Sequence, residues 1–494
     1  MDDFVFHDPT GRRARRANFG VGLLVALAAL VVAGFFATLA FAPRLPNLQM
    51  KDPRDLRALH VETAHRQIRA LRAGQEWRRL PKPRATAAGS PSRPLSVGFY
   101  VSWDESSRVS LARNIDKLDV VSPQWIGLDG SLGRVNVTSD PQAEAMIARA
   151  KNPPPVMPMI HNAHDGLSDG PVADRLLMNP AARTALVTNL VTLAQQRGYA
   201  GYVFDLENMN HTSLADYPAL VAEARAALKP LGREVWVSVP VADDAWDLKK
   251  FAAAADSVVL MAYDQHWAAG KPGPAAGQDW YEAIIEQDFK KLDPAHTIVA
   301  LGDYGYDWTL PDATQPGRAD TEVFYDATQT AHDAEATIQL DDNALNPHYA
   351  YQDDDGRKHE VWFLDAATVF NQIKVTDPFR PQGYALWRMG AEDPGVWKFF
   401  RQPYGAVQPK GLETIDPSTG VDFEGTGEIL HVSSTPTGGT RTIEIDPDNG
   451  LISGETYTST PTSYVIQRYG AHPGYVALTF DDGPDGRWTP KILD

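Results

Sequence analysis

Cysteine is absent from the 494-residue chain, which excludes disulfides, thiol nucleophiles and thiolate-bound zinc. A net positive charge is also lacking, because 46 Lys and Arg stand against 63 Asp and Glu. At a net charge of −17 there is no overall basic field for phosphate, which argues against a nucleic-acid-binding protein. The lack of cysteine fits an extracytoplasmic bacterial protein without establishing one.

The charge is distributed unevenly along the chain. Residues 1–94 carry 16 Lys and Arg against 7 Asp and Glu, whereas the remainder carries 30 against 56. One long apolar run, FGVGLLVALAALVVAGFFATLAFA at 19–42, has 24 residues without a charge. A helix of this length crosses a bilayer core of about 30 Å.

The basic residues beside this run predict its orientation. Arg44 is the only basic residue that closely follows the run, whereas four arginines precede it: Arg12, Arg13, Arg15 and Arg16. The positive-inside rule then predicts a single-pass anchor with a cytoplasmic N-terminus and the bulk of the protein outside, in the periplasm or at the cell surface. A signal peptide cleaved near TLAFAPR is the alternative.

Composition divides the chain into six segments. We predict a cytoplasmic tail (1–18), a transmembrane anchor (19–42), a juxtamembrane helix and linker (43–94), a barrel (95–402), a β-rich connector (403–473) and the start of a further domain (474–494).

Short apolar runs alternate with longer helical stretches between residues 95 and 402. The runs are SVGFYVSW, LDVVSPQW, PPVMPMIH, GYVFDL, EVWVSVPV, SVVLMAY, TIVALGDYG and GYALWRMG. Eight strands alternating with helices predict an α/β fold, the (β/α)8 or TIM barrel. HYAYQDDDGRKHEVWFLD at 348–365 predicts a β-rich insertion before the last strand.

Polar and aromatic residues collect at the predicted strand ends, where barrels place reacting groups. Ten of the twelve tryptophans lie between residues 95 and 400, as a cleft that packs sugar rings on aromatic faces requires. Trp236 is interpreted as core. Asp205 and Glu207 are two residues apart at a strand end, so their side chains point the same way. One carboxylate then raises the pKa of the other, which keeps its proton and can donate it.

Four of these segments together resemble glycoside hydrolase family 18, the chitinase-like enzymes. GYAGYVFDLENM resembles the fourth-strand signature D-G-x-D-x-D-x-E, and MAYD at 261–264 matches the sixth-strand M-x-Y-D. ALGDYGYDW and GYALWRMGAED resemble the seventh- and eighth-strand segments. The resemblance covers about residues 95–400.

The resemblance implies roles for particular residues. Glu207 is the expected general acid, Asp205 orients the N-acetyl group of the substrate, and Tyr263 hydrogen-bonds its carbonyl. The expected substrate-binding residues are Trp103, Met261, Asp264, Tyr304 and Trp387, of which Trp387 floors the subsite. The family uses substrate-assisted, retaining catalysis, in which the acetamido oxygen replaces a protein nucleophile, and needs no cofactor.

The chain departs from the family signature at two positions. The acids expected four and seven residues before Glu207 are replaced by Val203 and Ala200. The pair of Asp205 and Glu207 is retained, so the departure affects the expected rate and pH optimum more than the mechanism. A catalytically silent barrel that binds glycan stays open as the alternative.

The end of the chain carries a second resemblance. LTFDDGP resembles the first motif of polysaccharide deacetylases of the chitooligosaccharide type, in which Asp481 would be the general base and Asp482 a ligand to a divalent metal, usually zinc. A surface turn is the alternative interpretation. The match covers residues 474–494, and the two His ligands of a later motif are not among them, so we expect a truncated deacetylase barrel belonging to a longer parent.

Together these features predict a membrane-anchored, outward-facing protein that acts on N-acetylglucosamine-containing polysaccharide. A glycosidase-like barrel would be joined to an N-deacetylase in the parent. Two alternatives stay open: a silent barrel that presents glycan to the deacetylase, and a structural protein that anchors the cell wall.

Overall fold

The computed structural model describes residues 91–164, 167–311, 317–470, 474 and 486–493. The first strands are β1 (Leu95–Tyr100), β2 (Val120–Pro123), β3 (Ile126–Asp129), β4 (Arg134–Val137), β5 (Met159–His161), β6 (Ala163–His164), β7 (Leu167–Ser168), β8 (Gly201–Asp205), β9 (Glu234–Pro240), β10 (Ser257–Met261) and β11 (Thr297–Gly302). They are followed by β12 (Tyr304–Thr309), β13 (Arg318–Val323), β14 (Gln339–Leu340), β15 (Pro347–Gln352), β16 (Lys358–Trp362), β17 (Gly383–Trp387), β18 (Thr414–Ile415), β19 (Val421–Gly425), β20 (Ile429–Ser434), β21 (Gly439–Ile445), β22 (Ile452–Ser459) and β23 (Tyr464–Tyr469).

The α-helices lie between the strands. They are α1 (Glu105–Asn114), α2 (Pro141–Arg149), α3 (Gly170–Leu177), α4 (Pro180–Arg197), α5 (His211–Leu214), α6 (Tyr217–Leu228), α7 (Leu248–Ala254), α8 (Gln278–Asp288), α9 (Phe324–Asp333), α10 (Ala366–Thr376) and α11 (Thr489–Leu493).

Eight strand positions close into a parallel barrel. The sheet runs β2-β1-β17-β11-β10-β9-β8-β5-β3, and β4 is added antiparallel to β3. β2 and β3 are successive halves of one barrel strand, since β2 pairs with β1 and β3 pairs with β5. A parallel bridge between Val121 and Val156 completes the closure. The predicted (β/α)8 barrel is confirmed.

The local sequence explains these elements. Barrel strands are covered on both faces, so they are continuous apolar runs, and every residue of β11 is buried. Helix α4 begins at Pro180 after Asn179, whose side chain accepts hydrogen bonds from the amides of residues 181 and 182. It ends at Gly198, whose φ of 72° is the left-handed conformation that glycine adopts without strain.

The predicted β-rich insertion between the seventh and eighth barrel strands forms an antiparallel sheet. β12 lies between β13 and β16, and β15 pairs with β16. Phe324 of α9 packs with Val361 and Phe363 in a small second core behind this sheet. Tyr304 and Tyr306 of β12 belong instead to the main core of the barrel.

The segment interpreted as a connector is built into this sheet. Its strands β22, β21 and β18 extend the order β13-β12-β16-β15-β14, with Gln339 of β14 opposite Thr456 of β22. The sequence predicts a β-rich connector over 403–473, and the strands β18, β21 and β22 of that segment share a sheet with the barrel insertion. The strands β19, β23 and β20 form a further three-stranded sheet.

A buried arginine joins these strands to the barrel. The Arg441 side chain is fully buried and forms ion pairs with Asp365 at 3.2 Å, Asp393 at 2.8 Å and Glu455 at 3.1 Å. The Arg441 Nε–H also donates to the carbonyl oxygen of Leu412 at 2.8 Å. Asp365 is the N-cap of α10, so the guanidinium fixes the β21–β22 hairpin against the start of the last barrel helix.

Several predicted features lie outside the described residues. These are the tail at 1–18, the apolar run at 19–42, residues 43–90 of the juxtamembrane helix and linker, and the acidic pair Asp481 and Asp482, so all of them stay predictions. Among the residues that are described, no helix is long and apolar enough to span a membrane.

Replacing the buried arginine tests the coupling of the hairpin to the barrel. We expect Arg441→Ala to lower the free energy of unfolding by about 3–5 kcal/mol, because it leaves buried carboxylates without their counter-charge. The matched control is Arg318→Ala, whose exposed pair with Asp320 should contribute less than about 1 kcal/mol. Urea unfolding followed by tryptophan fluorescence measures both. Equal effects of the two changes would contradict the coupling.

The carboxyl group of Glu322 in the insertion is expected to make the stability of the folded protein depend on pH. Burial, and then the charges of Asp326, Asp307 and Asp320, raise the pKa of Glu322 from 4.5 to about 8. The folded protein keeps this proton up to about pH 8, whereas the unfolded chain loses it near pH 4.5, so raising the pH through this window favours unfolding.

Glu322→Gln should therefore reduce the loss of thermal stability between pH 5 and pH 8. The exposed Glu428→Gln should leave that loss unchanged. Calorimetry at a series of pH values compares the three proteins, and identical pH dependence of Glu322→Gln and the unaltered protein would refute the assignment.

Candidate active site

The predicted site residues meet at the C-terminal rim of the barrel, because parallel strands bring all their carboxyl ends to one edge. Asp205 ends β8, Met261 ends β10 and Trp387 ends β17. Tyr263 follows β10 by two residues, and Tyr304 begins β12 one residue after the end of β11.

Asp205 and Glu207 are both half-buried at this rim. β8 ends at Asp205, which is paired in register with His161 of β5. Glu207 therefore lies just beyond the strand, where its position depends on loop contacts rather than on the sheet. The charges of Asp205, Asp264 and Glu207 all act on Tyr263.

Side chains from three elements fix the position of Glu207. The Asn162 amide donates to the Glu207 carbonyl oxygen and accepts from the Glu207 N–H, both at 2.9 Å. Tyr217 accepts a hydrogen bond from the N–H of Leu206 at 3.1 Å. The Ser168 hydroxyl donates to Glu207 Oε2 at 2.9 Å. Both the peptide and the carboxylate of Glu207 are thus held.

Tyr304 and Tyr306 lie beside Asp264, and Tyr304 also contacts Tyr263. Asp264 Oδ1 accepts hydrogen bonds from the hydroxyls of Tyr304 at 2.5 Å and Tyr306 at 2.9 Å. The Tyr263 and Tyr304 rings meet edge to face with centroids 5.9 Å apart. Burial, followed by the charges of Asp205 and Asp264, raises the pKa of Tyr263 well above its ordinary value. Its hydroxyl therefore keeps its proton and acts as a hydrogen-bond donor.

Two aromatic side chains offer flat surfaces at the mouth. Trp387 is half-buried and meets Phe99 edge to face at 5.5 Å. Trp103 is 66% exposed, and its indole N–H donates to Gln124 at 2.9 Å. The Arg388 guanidinium lies 4.4 Å from the centre of the Trp103 ring and pairs with Asp104. These contacts hold the exposed indole in place.

Other aromatic residues at predicted strand ends belong to the core instead. Trp125 is 1% exposed and packs on Tyr100 with centroids 6.4 Å apart. Trp236 is also 1% exposed, in agreement with its interpretation as core. Trp308 is buried within the insertion sheet beside Tyr306.

The sequence motifs assign no role to several residues that shape the site. Asn162, Ser168 and Tyr217 belong to none of those motifs. Asp303 is buried directly after β11, and neither of its carboxyl oxygens has a hydrogen-bond partner among the described residues. Burial raises the pKa of Asp303 well above its ordinary value. The positions of these four residues near the rim become apparent only in the folded barrel.

The described residues contain no group of three or more His, Asp or Glu side chains arranged to hold a metal ion. The predicted metal ligand Asp482 and the predicted base Asp481 lie outside that part of the chain. A single carboxylate does not make a zinc site, which takes about three protein ligands.

Comparison with known proteins identifies relatives of the barrel. YvbX of Bacillus subtilis, named an uncharacterized glycosylase, is 25% identical over 332 residues, which is 65% of this chain and 93% of YvbX. YdhD of Bacillus subtilis, assigned as a sporulation-specific glycosylase, is 29% identical over 253 residues, or 49% of this chain and 60% of YdhD. The cortical fragment-lytic enzyme of Bacillus subtilis is 25% identical over 244 residues, or 47% and 57%. The match thus spans less than two thirds of the last two relatives.

Solved structures share the fold at low identity. A chitinase from Chromobacterium violaceum superposes with a TM-score of 0.56 at 24% identity, covering 62% of this chain and 96% of the chitinase. The spore cortex-lytic enzyme SleL of Bacillus megaterium gives a TM-score of 0.57 at 20% identity, with 64% and 75% covered.

A family model for glycosyl hydrolases family 18 matches residues 96–392, which is more than half of the chain. The matched residues include nearly the whole barrel, with Asp205, Glu207 and Trp387 at its rim. The chain belongs to glycoside hydrolase family 18.

Proposed function

We propose that the barrel is a glycosidase that hydrolyses N-acetylglucosamine-containing polysaccharide with retention of anomeric configuration. The observation that carries the proposal is Glu207, held at the rim by Asn162 and Ser168 and next to Asp205 and Tyr263. A tobacco class V chitinase with the same fold, at 15% identity and a TM-score of 0.54 over 64% of this chain, was solved in complex with NAG4. That complex supports the choice of polymer.

Each polar group at the rim has a step in this mechanism. Glu207 donates its proton to the glycosidic oxygen as the bond to C1 breaks. The acetamido carbonyl oxygen of the substrate attacks C1 from the opposite face, so no protein nucleophile is needed. Asp205 stabilises the acetamido nitrogen as it becomes positive, and Tyr263 donates a hydrogen bond to the carbonyl oxygen. Glu207, now a carboxylate, takes a proton from the water that opens the cyclic intermediate.

The aromatic residues bind the sugar rings. Trp387 provides the floor under the sugar whose bond is broken, and Met261 lies two strands away at the end of β10. Asp264 is fixed by two phenols and accepts a hydroxyl of the same sugar. Trp103 extends the cleft toward β1, where its exposed face stacks on a further sugar.

A silent glycan-binding barrel is the second candidate. It is favoured by Val203, which is fully buried where the family signature has an acid. The outward-facing membrane anchor at 19–42, and an N-deacetylase with a divalent metal in a longer parent, stay predictions from the sequence.

Removing the acid tests the leading proposal against this alternative. With chitooligosaccharides and β-1,6-linked N-acetylglucosamine oligomers as substrates, we expect Glu207→Gln to lower kcat by about 10²–10⁴-fold while binding is retained. The control is Glu428→Gln, which removes an exposed carboxylate far along the chain. Products are followed by mass spectrometry. Binding without cleavage by the unaltered protein would establish the silent barrel instead.

Removing the phenol of Tyr263 tests the stabilisation of the acetamido group. Tyr263→Phe keeps the buried ring but removes the donor, and should lower kcat/KM by about 10²-fold. Tyr281→Phe is the matched control, because its hydroxyl is also buried but bonds to Thr376 on an outer helix. Steady-state kinetics on chitooligosaccharides measures both variants. An equal, small effect of the two changes would exclude Tyr263 from the reaction.

A further inference from the structure

The Ser168 hydroxyl makes a hydrogen bond that no sequence motif predicts. It donates to Glu207 Oε2 at 2.9 Å from β7, an element that belongs to no catalytic motif. We propose that Ser168 is a positioning residue that orients the Glu207 carboxyl group for proton delivery, an inference that rests on the proposed glycosidase function.

The backbone around Ser168 is fixed by contacts on both sides. β6 and β7 pair antiparallel, with Ala163 opposite Ser168. Asn162, directly before β6, holds the Glu207 peptide, and its carbonyl oxygen accepts from the Asp169 N–H at 2.8 Å. The segment that carries Ser168 is therefore anchored to the same peptide whose side chain Ser168 contacts.

The contact continues on the other side of Glu207. The Asn208 side-chain amide donates to the carbonyl oxygen of Ser168 at 3.4 Å. A Cβ added at Gly170 would lie 2.0 Å from the carbonyl oxygen of Asn208, so the two segments pack as closely as glycine allows. This close approach leaves little freedom for the Ser168 hydroxyl to move away from Glu207.

The hydrogen bond decides which oxygen of Glu207 carries the proton. A serine hydroxyl that donates to Oε2 makes Oε2 the acceptor oxygen, so the proton of the neutral acid resides on Oε1. Oε1 then gives this proton to the glycosidic oxygen as the C–O bond breaks, and the proton is regained from water in the second step. The contact persists in the carboxylate, so the orientation is kept throughout the cycle.

Two acids of the family signature are missing in and just before β8. Val203 and Ala200 stand in their places, so Asp205 is the carboxylate that β8 contributes beside Glu207. Ser168 supplies a polar contact to Glu207 from the neighbouring part of the rim.

The test uses two substrates that differ in their need for a proton. A chitooligosaccharide has a sugar leaving group that must be protonated, whereas the phenolate of 2,4-dinitrophenyl chitobioside leaves without protonation. We compare kcat/KM for both substrates, since it reports the step in which the glycosidic bond breaks.

For Ser168→Ala we expect kcat/KM on the chitooligosaccharide to fall roughly tenfold, because a hydrogen bond to a carboxylate is lost. On the dinitrophenyl substrate it should change by less than about twofold, because that step needs no acid. Ser168→Thr keeps a hydroxyl and should restore most of the loss. Ser433→Ala, which removes an exposed hydroxyl bonded to the Val465 carbonyl, should change neither substrate.

The outcomes separate the two claims. An equal loss on both substrates, or none on either, with the unaltered protein active, overturns the role of Ser168 and leaves the glycosidase. Thermal unfolding of each variant identifies a loss of activity that is caused by misfolding. If Ser168→Ala misfolds, the Ser168→Thr variant decides. A folded Ser168→Thr variant that is as impaired on the oligosaccharide as Ser168→Ala overturns the inference. Absence of cleavage of both substrates by the unaltered protein overturns the glycosidase and the positioning role together.

Discussion

The two hydrogen bonds between the Asn162 side chain and the Glu207 backbone fix the position of Glu207 relative to the barrel. β8 ends at Asp205, so the sheet no longer determines where residue 207 lies. The parallel register places His161 beside Asp205, and Asn162, one residue further, then reaches the Glu207 peptide. Tyr217 and Ser168 add contacts to the same stretch. The acid is thus placed by a neighbouring strand rather than by its own.

The second constraint on the molecule is the attachment of the last β-strands to the barrel. The Arg441 side chain is fully buried and forms ion pairs with Asp365, Asp393 and Glu455. Asp365 also caps the last barrel helix. The barrel insertion and the hairpin of residues 439–459 share one sheet. The strand that carries Tyr304 and Tyr306, beside Asp264, is therefore stabilised by residues far along the chain. The barrel rim and these C-terminal strands therefore form one folded unit.

Much of this fold follows from the sequence because barrel strands are buried on both faces and appear as unbroken apolar runs. Asp205, Glu207 and Tyr263 could be predicted to lie at the rim because they stand at or just after the ends of such runs. Ser168 and Tyr217 could not, since their contacts depend on a hairpin and a helix that fold back over the rim. Trp125 and Trp103 both end predicted strands, yet only the second is exposed, a difference that depends on packing. Arg441 lies in a segment rich in Thr, Ser and Pro, where no periodicity distinguishes a buried arginine from a solvated one.

The most direct measurement of the central claim is the anomeric form of the first product released from a β-linked chitooligosaccharide, read by proton NMR before mutarotation. Substrate-assisted hydrolysis with Glu207 as acid and base gives the β-anomer first, because two displacements at C1 restore the original configuration. Release of the α-anomer would contradict the account, since direct attack by water would require a second carboxylate as base.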